Sequence, residues 1–252
     1  MKLFIFLTLI SFNLHAWTLS SGAISRFPSD TVSLNVATND SCSNAGITHA
    51  ELLNEAFEAA EQYWNQVPTS RLRFIKGTTK AVDAYSIASQ TSGATQGEIL
   101  LGCKDEADFG SIGAIAIGGN SVAFPDGSIT KAWVSVDGSA SSTYDSLTKT
   151  ERLAVLAHEI GHAFGLGHSE KDSLMYFSIV STREKLSDDD MAAVSWLYPN
   201  RSDSFDVLGS CGTIATMGGG GNGPGPFQFI LTAFLGMLMV LSFTRKTRSS
   251  PL

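Results

Sequence analysis

Four side chains between residues 158 and 168 could do chemistry together: His158, Glu159, His162 and His168, in the stretch His-Glu-Ile-Gly-His-Ala-Phe-Gly-Leu-Gly-His. On a helix, residues four apart lie one turn from each other on one face. His158 and His162 have that spacing and can grip one metal ion. Glu159 sits beside them, placed to act as a base on water that the metal activates without being a ligand itself. Gly165 can adopt backbone conformations closed to other residues, so it can end the helix and let the chain turn back with His168 as a third ligand. Three nitrogen ligands leave one tetrahedral position open, which suits catalytic zinc and not structural zinc. The expectation is one catalytic Zn2+ and hydrolysis of a polypeptide substrate. Three of the five histidines fall in this stretch, so a helix that merely carries surface histidines is the weaker reading.

Such a cluster needs elements to hold it. Val32, Leu34 and Val36 alternate with polar neighbours, the period of a half-buried strand from Thr31 to Ala37. Thr48 and Glu51 form a capping signal before Leu52, Leu53, Ala56, Phe57, Ala60, Tyr63 and Trp64, whose three- and four-residue spacing predicts an amphipathic helix ended by Pro68. Further strands are expected at Leu72–Lys76, Glu98–Leu101, Gly113–Ile117 and Lys131–Asp137. Pro125-Asp126-Gly127 supplies a turn between the last two, and Gly118 and Gly119 a loose loop. Thr148 and Glu151 cap the metal-binding helix. Ser187 opens a last helix closed by Pro199. Asp188, Asp189 and Asp190 then complement the helix dipole, and a Ca2+ site there has no other support.

A net charge of -7 with 17 Lys+Arg argues against nucleic acid as a partner. Residues 1–16 read as a signal peptide: Lys2, an apolar run from Leu3 to Phe12, then Ala16. Export permits disulfides. Cys42 and Cys103, both flanking predicted strands, are the first choice for a pair, with Cys211 bonded back to the domain as the rival. Residues 17–200 form the expected domain and 201–226 a glycine-rich linker. Residues 227–244 are apolar and 245–252 basic, which reads either as a membrane span with a cytoplasmic tail or as a C-terminal tag removed by a sorting enzyme. Either way the domain is placed outside the membrane, at the cell surface, in the periplasm or in the medium.

The 158–168 stretch fills every fixed position of the metzincin signature, His-Glu-x-x-His-x-x-Gly-x-x-His, and the resemblance extends from about Val32 to Tyr198. It implies an α+β, zincin-like catalytic domain: a twisted, mostly parallel five-stranded sheet with an active-site helix, a packing helix and a C-terminal helix. Leu174-Met175-Tyr176 resembles the Met-turn of the matrixin branch, with Met175 as an apolar floor beneath the zinc. Phe177 stands where astacins and serralysins carry a tyrosine ligand, and where matrixins carry a proline. The stretch before Val32 has no cysteine to latch the zinc, and no histidine lies between His49 and His158 for a second zinc. The chain thus resembles a minimal, bacterial-type matrixin. Substrate is expected to add to an edge strand, with Gly113, Ala114, Ile115, Ala116 and Ile117 as that edge and a pocket wall from Phe177 to Lys185.

Two other classes of function compete. A binding protein of this fold would keep zinc without hydrolysis, and a structural surface protein would use the metal for stability alone. The presence of Glu159 favours an enzyme over the first. The open ligand position favours it over the second.

Overall fold

The computed structural model describes residues 17–200 apart from 21, 110–112, 170–171 and 179–183. The expectations for the signal peptide, Cys211, the glycine linker, residues 227–244 and the basic tail lie outside the described residues. So does the middle of the expected wall from Phe177 to Lys185. Among the described residues, no helix is long and apolar enough to cross a membrane.

The alternation of Val32, Leu34 and Val36 produces β1 (Thr31–Ala37), with all three side chains fully buried. β2 (Arg73–Lys80) and β3 (Glu98–Lys104) flank it in parallel. β5 (Ile129–Asp137) continues in parallel on β3, and β4 (Ala116–Val122) closes the sheet antiparallel to β5. The order is β2-β1-β3-β5-β4, so the one antiparallel strand is an edge.

The edge strand is where the sequence reading needs correcting. Expected over Gly113–Ile117 and followed by a loose loop, the strand instead begins at Ala116 and runs through Gly118 and Gly119. Both glycines allow close approach rather than looseness. A side chain on Gly118 would collide with the backbone oxygen of Glu159, and one on Gly119 would press on the Trp133 ring. Gly113, Ala114 and Ile115 therefore precede the strand.

The helices follow their caps. α1 (His49–Ala59) opens on the Thr48–Glu51 capping box and continues as a wider turn through Trp64. A short helix, α2 (Glu106–Phe109), has no counterpart in the sequence reading. α3 (Lys149–Ala163) opens on the Thr148–Glu151 box, and α4 (Asp188–Leu197) on Ser187 with Asp190 as its box partner. α1 and α3 share a core with one face of the sheet, through residues such as Leu52, Ala56, Leu156 and Ile160. Trp64 Nε1 donates to the Ala157 carbonyl at 2.9 Å. The Arg152 guanidinium forks onto Glu55, with Nε and Nη2 at 2.9 and 2.6 Å from its two oxygens. That pair fixes α3 on α1, and removing either partner would strand a largely buried charge. The other sheet face has a thinner cover from the β2–β3 connection, where Ala84 and Ala94 meet Leu100 and Tyr85 stacks on Trp133.

Cys42 and Cys103 are joined, the first-choice pairing. The bond ties the start of the segment leading to α1 to the end of β3, 61 residues on. Constraining a loop of that length stabilises a fold by about 4 kcal/mol in the chain-entropy model. Replacing both cysteines by serine is expected to cost about 2–4 kcal/mol in urea unfolding of the zinc-free protein. An unchanged midpoint would show that the crosslink contributes nothing.

Candidate metal centre

α3 carries His158 and His162 on the face that looks across to β4, and ends one residue after His162. Gly165 takes φ +117°, in the region that favours glycine, and a side chain there would strike Ser25. The chain reverses at this point, as the sequence suggested, and brings His168 back. The three imidazoles present ring nitrogens within 4.8 Å of one another. Among the described residues they form the one cluster of three or more such groups able to hold a metal.

Each helical histidine of the cluster is oriented through its Nδ1. His158 Nδ1 donates to the Leu174 carbonyl at 2.7 Å, and His162 Nδ1 to the Leu166 carbonyl at 2.8 Å. A carbonyl only accepts, so these bonds fix the tautomer and leave both Nε2 atoms as lone pairs. The two Nε2 atoms face each other at 3.0 Å. Two lone pairs at that distance repel unless a cation lies between them. Tetrahedral zinc with ordinary bond lengths spaces its nitrogens about 3.3 Å apart. The residues present therefore fit zinc. Burial, with the neighbouring His158, pushes the His162 pKa down to about 3, and burial lowers that of His168. A ligand must be unprotonated to bind, and both are at neutral pH.

Glu159 retains some contact with the cleft but is closely packed, and burial pushes its carboxyl up to about 8 against the opposing pull of the Gly118 backbone N–H. Met175 is buried, and its sulfur occupies the space that a side chain on Gly161 would need. That contact explains why position 161 is glycine despite its cost in a helix.

By sequence Asp188, Asp189 and Asp190 complement the helix dipole, and two of them have more specific partners. The buried Asp190 carboxylate accepts from the backbone N–H groups of Leu174 and Met175 at 2.7 and 3.2 Å, while also bonding Ser187. It thus holds the turn whose Leu174 carbonyl orients His158. Asp189 accepts from the Ser169 hydroxyl, next to His168, and from the Trp17 backbone N–H. Residues 17–20 had no role in the sequence reading. They run antiparallel beside the third-ligand loop: Gly167 N–H donates to the Thr18 carbonyl, Ser20 N–H to the Gly165 carbonyl and the Thr18 hydroxyl to the His168 carbonyl. Hydrogen-bond partners more than a hundred residues away left no local pattern to read.

Two cavities meet at the cluster. The first, about 350 Å3, lies against His158 and Glu159 and is walled by Val155, Leu174, Tyr176 and Phe177. Gly113, Ala114, Ile115 and Ala116 line it. Ile117 does not, because it pairs with Ser135 and alternates to the sheet face opposite Gly118. The second, about 520 Å3, lies against His162 and His168 and is bordered by Thr18, Gly119, Asn120 and Trp133.

A family model described as matrixin matches residues 33–199. The chain belongs to the matrixin family. The matched segment is accordingly a zinc-dependent metallopeptidase domain, and it has the mostly parallel sheet expected of one. Matrix metalloproteinase-B of Caenorhabditis elegans is 53% identical over 53 residues, 19% of this chain and 10% of that protein. Metalloendoproteinase 2-MMP of Arabidopsis thaliana is 38% identical over 69 residues, 26% of this chain and 18% of that protein. The chain thus spans less than a fifth of the length of either relative. Among solved structures, myroilysin aligns with a TM-score of 0.40 at 14% identity, covering 70% of this chain and 83% of its own.

Asp190→Asn keeps the shape of the anchor but removes its charge and replaces one acceptor by a donor. It is expected to weaken zinc binding about 10- to 100-fold, the usual cost of losing an outer-shell partner, read by chelator competition. A lowered melting temperature with unchanged zinc affinity would reduce Asp190 to a structural cap.

Proposed function

We propose that this chain is an exported zinc endopeptidase that cuts polypeptides bound in extended form along β4. The observation that carries the reading is the packed Glu159 carboxyl beside three imidazoles that converge on one point, at the junction of two cavities. A zinc ion held by His158, His162 and His168 would supply Lewis acidity, activating water and polarising the scissile carbonyl. The chain's own contribution is proton handling and alignment. Glu159 takes a proton from the attacking water and returns it to the leaving amine. Its raised pKa suits both halves of that cycle, since a cation nearby draws the value back toward neutrality. The free edge of β4 offers main-chain hydrogen bonds to an extended substrate. The first cavity, with Val155, Leu174 and Phe177 in its walls, suits an apolar side chain next to the cleaved bond.

Export rests on the reading of residues 1–16 and is supported by the Cys42–Cys103 bond, since disulfides persist in oxidising compartments. Residues 227–244 would then either anchor the domain or be removed in sorting.

Glu159→Gln is expected to bind zinc normally and to lose about two to four orders of magnitude in kcat/KM, with chelator abolishing wild-type cleavage of a peptide library. Activity within a few-fold of wild type in zinc-loaded Glu159→Gln would remove Glu159 from the mechanism. A zinc-replete wild type that cleaves nothing would favour the binding protein instead.

A further inference from the structure

A third cavity, about 260 Å3, lies on the outer face of the sheet beneath the far end of β4. Its walls include Tyr85, Gln90, Ser92, Ser121, Lys131 and Trp133. Trp133 also borders the second cavity, so one side chain separates this space from the cleft beside His162 and His168. The absent side chain at Gly119 is what lets the indole reach that far, with Nε1 3.3 Å from where a Cβ would stand.

The chemistry of the walls is one-sided. Trp133 is 9% exposed, and its indole N–H finds no hydrogen-bond partner among the described residues. The N–H is not among the fully enclosed polar atoms, so it remains accessible to a ligand entering one of the two cavities that Trp133 borders. Tyr85 stacks on its ring at 4.0 Å with 13° between the planes. Tyr85 is itself held by a 2.9 Å bond from its hydroxyl to Gln90 Oε1, in a loop where Gln90 adopts φ +55°. The Lys131 ammonium reaches only the Ser92 carbonyl, at 3.4 Å, and keeps its other protons free. None of the described residues lining the cavity is a carboxylate, in a chain of net charge -7. An indole, a lysine and serine hydroxyls thus border a space without an acid. Such a set is complementary to a carboxylate.

Position along the edge strand relates this cavity to the bond being cut. Gly118 lies against Glu159, and Ser121, in the wall of the third cavity, is three residues further along β4. That is about 10 Å at the rise of an extended chain. Gly113 to Ala116 lead in the opposite direction, into the first cavity. We propose that the third cavity is a specificity pocket for a glutamate or aspartate side chain of the substrate, about three residues from the scissile bond and on the side away from the Gly113–Ala116 cavity. This rests on the peptidase reading above. Lys131 supplies the charge and the Trp133 indole the donor.

The test compares peptides that carry glutamate or glutamine at each position in turn. With zinc-loaded wild type, one position about three residues from the cleaved bond should favour glutamate about tenfold in kcat/KM, as a charge-assisted contact does. That ratio should fall to near one in Lys131→Met, whose exposed position spares the fold. In Trp133→Phe, which retains an aromatic ring for Tyr85 but lacks the N–H, it should fall several-fold. Binding of the same labelled peptides to zinc-loaded Glu159→Gln, followed by fluorescence polarisation, should give the same ranking without turnover. Equal use of glutamate and glutamine at every position, or an undiminished ratio in Lys131→Met, overturns the pocket. Wild type that cuts no peptide overturns the peptidase reading instead, and the binding ratio then still decides the pocket.

Discussion

The centre depends on holding the imidazoles so that their Nε2 atoms meet. His158 and His162 do this by donating Nδ1–H to the carbonyls of Leu174 and Leu166, which fixes tautomer and ring plane together. Helical spacing alone would put the two rings on one face while leaving each free to flip. The acceptor carbonyls lie in irregular segments, and those segments need anchors of their own.

Two adjacent aspartates at the start of α4 supply them. Asp190 holds the backbone of Leu174 and Met175, and Asp189 holds Ser169 and Trp17. Tyr198, near the end of the same helix, donates its hydroxyl to the Phe164 carbonyl and accepts from the Phe27 N–H. The last helix therefore braces both the turn at Leu174 and Met175 and the end of α3. A buried carboxylate with several N–H donors is a strong, directional anchor. The sulfur of the buried Met175 fills the space left by the missing side chain of Gly161.

The glycines of the site follow a related logic of close approach. Gly161 admits Met175, Gly118 admits the backbone of α3 against β4, and Gly119 admits the Trp133 ring. The edge strand can lie close to Glu159 because side chains are missing at these points. The same omission links the cleft to the cavity behind it.

Local physics made much of this protein readable in one dimension. The His-Glu-x-x-His spacing, the capping boxes at Thr48 and Thr148, and the alternation of Val32, Leu34 and Val36 each operate within a few residues, and each appears in the structure where expected. The same holds for the reversal at Gly165. Local pattern is silent where the decisive neighbour is distant in sequence. Gly118 and Gly119 look like a loop until α3 and Trp133 are seen against them, and the strand begins three residues later than its apolar residues suggest. Asp189 and Asp190 look like dipole partners until the Met-turn and Trp17 arrive from 15 or more residues away. By itself the sequence determined which groups can bind a metal and which can move a proton, since those are properties of side chains and helical spacing. Only the tertiary structure decided how the ligands are oriented, which segment borders the cleft and what lies behind it, because those depend on backbone contacts between parts of the chain that share no local pattern.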